Sequence, residues 1–332
     1  MANDKRKKTK QKREIIIYAI LVLALIIFCI WYYYKYYYVV ESINTPIILE
    51  VEESSTSNTA ITDLDGTLYV HMIDCGQGDS FLFEYEGQYG LIDCGTKSES
   101  KKVIQYLKKE GVKELQFIMG SHQHDDHIGG LNNVLNSFDY DVIYLPEIKD
   151  DLVTSDWYEA IMDKIDEDGV EVINPKINDE FKLGEVNFKV VGQLTPEEAK
   201  NDLNNYSTVV KVTFGQMDLL MTGDAEEKVE TYMLNSDTLS ECEILKLGHH
   251  GSNTSSSRKF IEKVNPEYGL ISCSVGNRYK HPNKETVDIL KEKNVEIYRT
   301  DECGDVVVSI TCDSITFDKL PGDYLDGETL AK

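Results

Sequence analysis

Positive charge is scarce in this 332-residue chain once its first fourteen residues are set aside. Those fourteen hold seven Lys/Arg against Asp4 and Glu14, and the remainder carries 27 basic against 56 acidic side chains, a balance of -29. A field of that sign repels polyanions and excludes a nonspecific nucleic-acid coat protein. Cysteine occurs seven times, but never as CxxC, so a thiolate zinc site is not expected. Cys29 falls in an apolar run, and Cys75, Cys94, Cys242, Cys273, Cys303 and Cys312 follow no framework spacing. Buried free thiols are their expected state. No internal repeat is evident beyond an approximate halving near residue 190. With 41% hydrophobic and 28% charged residues over this length, the chain is neither a small disulfide scaffold nor a coiled coil, and it can bury a large core.

Charge is absent altogether from residues 15–34. Twenty residues rise about 30 Å as a helix, enough to span a bilayer core. The run YYYKYYY from Tyr32 to Tyr38 suits an interfacial aromatic belt, and the basic tail is expected to stay in the cytoplasm with residues 41–332 outside. A cleaved signal peptide is the alternative, but no small-x-small site follows the run, which is also longer than an ordinary signal core. The expected organisation is a cytoplasmic tail over 1–14, a single transmembrane helix over 15–34 with membrane lipid as its partner, and a linker over 35–67. A globular domain follows over 68–318, and a C-terminal tail over 319–332, frayed from residue 321.

Within the domain, short apolar or alternating runs predict strands at 69–73, 81–85, 89–92, 115–119, 142–145, 186–191, 208–214, 219–221, 243–246, 269–272, 295–298, 306–310 and 314–317. Apolar residues at three- and four-residue spacing predict helices at 98–110, 129–138, 156–167, 226–234, 256–264 and 284–293. Strand-rich ends with intervening helices imply an α/β sandwich, with sheets covered by helices.

Histidine is also rare, at seven residues, yet three of them fall within Ser121-His122-Gln123-His124-Asp125-Asp126-His127-Ile128-Gly129-Gly130. This HxHxDH run follows a predicted strand and precedes a predicted helix, so its side chains can converge at a strand's carboxyl end. Imidazole suits Zn, Mn or Fe, and the interleaved carboxylate adds a hard oxygen donor. His122 and His124 can hold one ion while Asp126 and His127 hold a second. Met221-Thr222-Gly223-Asp224 also ends an apolar strand, and Asp224 can bridge the two ions with its two oxygens. Lys246-Leu247-Gly248-His249-His250-Gly251-Ser252 ends another. One of its histidines is read as a ligand and the other as orienting it or touching substrate, with His250 favoured as the ligand.

These motifs, with the aspartate of Leu91-Ile92-Asp93-Cys94-Gly95, resemble the metallo-β-lactamase superfamily. More narrowly, Ile73-Asp74-Cys75-Gly76-Gln77-Gly78-Asp79-Ser80, SHQHDDHIGG, Asn204-Asn205-Tyr206-Ser207, GHHGS and Ser274-Val275-Gly276-Asn277-Arg278-Tyr279-Lys280-His281-Pro282 resemble the extracellular hydrolase domain of ComEC-type competence channels. The resemblance covers about residues 68–318. It implies a four-layer αββα sandwich with a dinuclear site at one edge, metal ligation by His122, His124, Asp126, His127, Asp224 and His250, and Asp93 bracing the histidine loop. Ser207 and His249 fall beside that site or its substrate. Two departures matter. Many superfamily members carry a further histidine between the HxHxDH run and the TGD aspartate, whereas none lies between His127 and Asp224 here, and the NNYS stretch occupies the interval. One membrane segment also cannot make a channel, so channel function does not carry over.

A water held between two divalent ions, Zn or Mn, is acidified toward a pKa of about 7 and can attack phosphorus or a carbonyl carbon. Asp126 is expected to orient it, and His281 is a candidate acid for the leaving group, with an exposed loop histidine as the other reading. From Lys246 to Lys284 seven basic residues stand against Glu262 and Glu267, a basic island in an acidic domain. Arg278 and Lys280 are its expected substrate contacts, which favours an anionic substrate such as nucleic acid or another phosphodiester. The leading expectation is a membrane-anchored phosphodiesterase or nuclease. An acyl hydrolase acting on a lactam or lactone, and a non-catalytic DNA- or envelope-binding module, are the alternatives, and no protein partner is predicted.

Overall fold

The computed structural model describes residues 65–149, 152–236 and 238–330. The expected basic tail, the membrane helix and the linker up to residue 64 lie outside the described residues. Among the described residues no helix is long and apolar enough to cross a membrane.

The first strands are β1 (Leu68–Met72), β2 (Phe81–Tyr85), β3 (Gln88–Ile92), β4 (Glu114–Leu115), β5 (Phe117–Met119), β6 (Asp139–Tyr140), β7 (Ile143–Tyr144) and β8 (Val172–Ile173). Then come β9 (Glu180–Leu183), β10 (Val186–Gly192), β11 (Val209–Phe214), β12 (Met217–Met221), β13 (Ile244–Lys246), β14 (Tyr268–Ile271), β15 (Glu296–Arg299), β16 (Val306–Ile310) and β17 (Ile315–Phe317). They form an eight-stranded sheet in the order β17-β16-β1-β2-β3-β5-β7-β8, a seven-stranded sheet in the order β15-β14-β13-β12-β11-β10-β9, and a small β4-β6 pair. The helices that cover them are α1 (Ser100–Lys109), α2 (Asp125–Ile128), α3 (Leu131–Leu135), α4 (Asp156–Asp168), α5 (Pro196–Ala199), α6 (Glu227–Ser236), α7 (Arg258–Val264), α8 (Lys284–Glu292), α9 (Thr300–Cys303) and α10 (Gly327–Leu330).

Strand alternation builds the layers. On β2, Phe81 and Phe83 enter a core between the sheets with Phe117, Phe188, Val210 and Phe214, while Leu82 joins Leu91, Ile118, Val103 and Leu107 on the opposite, helix-covered face. On β12, Leu219 and Met221 face the inter-sheet core, and Leu220 packs with Val229, Met233, Phe260 and Leu290 under the second helical layer. Each such side chain contributes about 1.5–3 kcal/mol on burial, and a one-residue slip would exchange the two sets, so register is strongly specified. The result is a helix-sheet-sheet-helix sandwich, as the resemblance implied.

Three local differences from the sequence reading have physical causes. The expected 115–119 strand breaks at Gln116, whose amide oxygen accepts from Tyr89 N and so takes over a backbone rung, leaving β4 to pair with β6. The expected 129–138 helix is shortened to α3 and parted from α2 at Gly129 and Gly130, where Gly130 abuts the 94–95 turn and a Cβ would lie 2.3 Å from the Cys94 carbonyl oxygen. The tail is not frayed over 322–327: Gly322 N donates to Ile297 O at 2.7 Å, Tyr324 Oη to Val295 O at 2.8 Å and Gly327 N to Pro282 O at 2.9 Å. The chain changes sheet between β8 and β9, earlier than residue 190, since the half-exposed β9 carries a weak apolar signal.

Candidate metal centre

Parallel pairing brings the motifs together. β3 runs parallel to β5, and β12, β13 and β14 run parallel to one another, so the segments leaving their carboxyl ends share one edge of the sandwich. Backbone bonds stitch these segments: Asp93 N donates to Met119 O, Cys94 N to His127 O, and Asp79 N to Asp126 O. The HxHxDH run straddles a helix start, with His122 and His124 before α2 and Asp126 and His127 in its first turn.

Asp224 lies at the centre, 1% exposed. Its Oδ1 is 3.1 Å from His127 Nε2 and 3.7 Å from His250 Nε2, and its Oδ2 is 4.0 Å from His122 Nε2 and 3.7 Å from His249 Nε2. Asp126 Oδ2 stands 3.5 Å from His250 Nε2, and His124 Nδ1 2.9 Å from His122 Nε2. Two groups of candidate ligands share Asp224, one of Asp126, His127, Asp224 and His250, the other of His122, His124 and Asp224, and a third, Asp79, Asp93 and His127, lies behind them. The turn that presents Asp224 is tight: Gly223 has φ 52°, a Cβ there would meet Ser121 Cβ at 2.7 Å, and Asp224 N donates to Ser207 Oγ at 3.1 Å.

The surroundings fix the imidazoles. His127 Nδ1 donates to Asp93 Oδ2 at 2.9 Å, and Asp93 also accepts from Ser121 N at 2.7 Å and Ser121 Oγ at 2.8 Å. His250 Nδ1 donates to Ser272 O at 2.9 Å. Both rings therefore turn Nε2 toward the carboxylate oxygen of Asp224, which also lacks a proton. Lone pairs that face one another in a buried space require a positive charge between them. Burial opposes charge on both rings, but Asp224 with Asp93 holds His127 well above its usual range, and Asp224 with Asp79 pushes His250 up to about 10. Burial, then the charge of His127, drives His122 well below its usual range.

A divalent cation answers the same demand. His127 Nε2, His250 Nε2, Asp224 Oδ1 and Asp79 Oδ1 are buried atoms without a hydrogen-bond partner. With His127 and His250 unprotonated as ligands, three buried carboxylates, Asp79, Asp93 and Asp224, and the partly exposed Asp126 would stand against Lys246 as the buried cation at the centre. Soft thiolates are absent from both ligand groups, and the nitrogen and oxygen donors present suit a divalent cation. The residues fit two divalent ions that share Asp224.

The centre opens into a cavity of about 700 Å³ lined by Gln77, His124, Asp126, His249, Arg278, Tyr279 and His281 among others. His281 is 5% exposed with an unpartnered Nδ1, and burial, then the charges of His250 and His249, lowers its pKa to about 3. That environment disfavours the charged imidazolium, and its burial does not fit the reading of His281 as an exposed loop histidine. Arg278 stacks over the Tyr279 ring, 4.6 Å from its centroid. The basic island is otherwise dispersed. Lys246 is completely buried 2.7 Å from Asp79, Arg258 pairs with Glu292 and Lys284 with Asp288. Lys280 is not among the cavity's lining residues; its ammonium is 3.5 Å from Glu328 on α10. Local charge counting groups residues by sequence, whereas these side chains leave their elements in different directions.

Sequence reasoning missed the supporting roles of Asp79, Lys246, Asn204 and Glu226. Their only signal was inclusion in or proximity to the quoted motifs, because no spacing rule relates a ligand to the groups behind it.

The model of the metallo-beta-lactamase superfamily matches residues 73–275. ComE operon protein 3 of Bacillus subtilis is 30% identical over 255 residues, covering 71% of this chain and 32% of that protein. Competence protein ComA of Neisseria gonorrhoeae is 32% identical over 236 residues, covering 70% and 30%. This chain thus spans about a third of the length of the curated relatives it matches. Among solved structures, the metallo-beta-lactamase fold protein YhfI from Bacillus subtilis is 14% identical with a TM-score of 0.47, covering 76% of this chain and all of that one.

Proposed function

The chain belongs to the metallo-β-lactamase superfamily of metal-dependent hydrolases, and from that membership and the cavity's chemistry we propose that it is a membrane-anchored phosphodiesterase, with nucleic acid as the leading substrate class. The observation that carries the reading is the division of Asp224's two oxygens between two sets of imidazoles, in a cavity whose rim holds Arg278. Two divalent ions bound there supply an acidified water and charge stabilisation at phosphorus.

The chain's own groups do the remaining work. His122, His124 and Asp224 would hold one ion, and Asp126, His127, His250 and Asp224 the other. Asp126, partly exposed and lining the cavity, is placed to accept a hydrogen bond from a water that such ions would acidify, and so would aim it. The Arg278 guanidinium binds a non-bridging phosphate oxygen, and its stacking on Tyr279 limits the freedom lost on binding. Neutral His281 offers Nδ1 as a hydrogen-bonding group to substrate. Arg278 at the cavity supports an anionic phosphodiester substrate, and the basic tail followed by twenty uncharged residues supports a single-pass anchor with the domain outside the cell.

The test is turnover of bis-p-nitrophenyl phosphate, single-stranded DNA, RNA and nitrocefin by the full chain with Mn²⁺ or Zn²⁺. Phosphodiester hydrolysis that a chelator abolishes and Asp224→Ala lacks is the expected result. Hydrolysis of nitrocefin with no phosphodiester turnover would overturn the reading in favour of an acyl hydrolase.

A further inference from the structure

Resting on the two-ion reading above, we propose that His249 is a ligand of the first metal position, supplying the imidazole that the interval from His127 to Asp224 does not contain. That position otherwise has three protein donors, His122, His124 and Asp224. The sequence pattern had placed His249 beside His250, as its orienter or as a substrate contact.

Geometry separates the two neighbours. His250 Nε2 stands on the Oδ1 side of Asp224 with Asp126, whereas His249 Nε2 stands 3.7 Å from Oδ2, the oxygen that also faces His122. Two donors about 2.1 Å from one ion at a tetrahedral angle stand roughly 3.4 Å apart, so the 3.7 Å separation is that of two ligands of one ion. Adjacent side chains of a strand point to opposite faces, yet both of these rings reach the centre. The backbone achieves this by holding His249 at φ 50° and His250 at φ 55°, a left-handed conformation in two successive non-glycine residues. Such a strained backbone persists where the surroundings or a bound group over-determine it.

The far side of the ring is built as it is for a ligating histidine. His249 Nδ1 lies 3.2 Å from Thr254 Oγ1 and 3.6 Å from Glu226 Oε1. An Nδ1–H held by those oxygens leaves the Nε2 lone pair directed at the Asp224 side. Asn204, from the NNYS stretch that stands where other superfamily members carry a histidine, donates its amide to Glu226 Oε1 at 3.3 Å and lies 3.4 Å from His249 Nδ1. That stretch braces an imidazole delivered from the opposite loop and contributes none of its own.

The test is calorimetric titration of the metal-stripped full chain with Mn²⁺ or Zn²⁺, with bound metal counted by mass spectrometry. The wild type is expected to bind two ions. His249→Ala should keep one affinity and weaken the other at least tenfold, and Glu226→Gln should weaken that same ion by about ten- to a hundredfold, the usual effect of losing a group behind a ligand. His281→Ala, also in the cavity, should keep both. Two ions bound by His249→Ala with wild-type affinities would overturn this assignment and leave the two-ion reading standing. A wild type that binds fewer than two would overturn both. Should His249→Ala fail to fold by circular dichroism, unchanged affinities in Glu226→Gln would overturn the assignment by themselves.

Discussion

Lys246 Nζ lies 2.7 Å from Asp79 Oδ2, with the lysine side chain completely buried and the aspartate 1% exposed, directly behind the imidazole of His250. The ammonium also donates to Leu247 O at 2.9 Å, and Asp79 Oδ1 stands 3.4 Å from His250 Nδ1. A pair so placed leaves an uncompensated buried charge when either member is lost. Lys246→Met is therefore expected to destabilise the domain by about 3–5 kcal/mol in urea unfolding, and Lys246→Met with Asp79→Leu by less than the sum of the single changes. Additive losses would show that the two charges act independently.

Asp224 serves both ligand groups with separate oxygens. Asp224→Ala should reduce bound metal below one ion per chain, whereas Asp126→Ala with His127→Ala should empty only the position those residues share with His250. Metal analysis of the purified chains reads both outcomes. Two retained ions in the double variant would refute the ligand grouping.

Of the seven basic residues in the island, Arg278 is the one that lines the cavity. Arg278→Gln should raise KM for a phosphodiester roughly tenfold or more, from loss of a charge-assisted hydrogen bond of about 1.5–3 kcal/mol, with metal content unchanged. Lys280→Gln should leave KM within about twofold, since its ammonium is engaged at Glu328. Equal effects of the two changes would restore a diffuse basic island.

Glu230 is 2% exposed and accepts hydrogen bonds from Ser256 N and Ser257 N. Burial raises its carboxyl to about 7 from an ordinary 4.5, although those bonds act in the opposite direction. The folded state thus holds this proton more tightly than the unfolded one. Its stabilising contribution is complete below pH 4.5, declines as pH rises toward 7 and is flat above that. Relative to Glu230→Gln, the wild type should gain stability as pH falls from 7.5 to about 5 in urea titrations. A difference that grows with rising pH would refute the sign.

The proposed single-pass topology predicts that protease added to intact cells cuts the chain near residues 54–58 and releases the domain. Full protection until the membrane is lysed would place the domain on the other side.

Much of the architecture was legible because it rests on local patterns. Short apolar or alternating runs located β2 and β16 with the bounds the structure gives them, and three- and four-residue spacing located α1, α4, α6 and α8 to within two residues. Two-residue strands such as β6 and β8 carry too few side chains to show a period, and β4 parts from β5 only because Gln116 bonds to Tyr89 across the sheet. The tail from Gly322 onward reads as polar and ends up tied to Ile297, Val295 and Pro282 by bonds that no pattern encodes.

By itself, the sequence determined which residue types could meet: HxHxDH, TGD and GHHGS each concentrate donors of nitrogen and oxygen at strand ends, and that concentration is a property of order along the chain. Only the tertiary structure decided how they are shared. Parallel pairing of β12, β13 and β14 set Asp224 between two groups of imidazoles, left-handed backbone at His249 and His250 sent adjacent rings to different oxygens of that carboxylate, and burial turned Lys246 from a charge for substrate into a counterion for Asp79. The physical reason is that a side chain's chemistry is carried by its type, whereas its partner and its protonation are set by distance and desolvation, which exist only once the chain has packed.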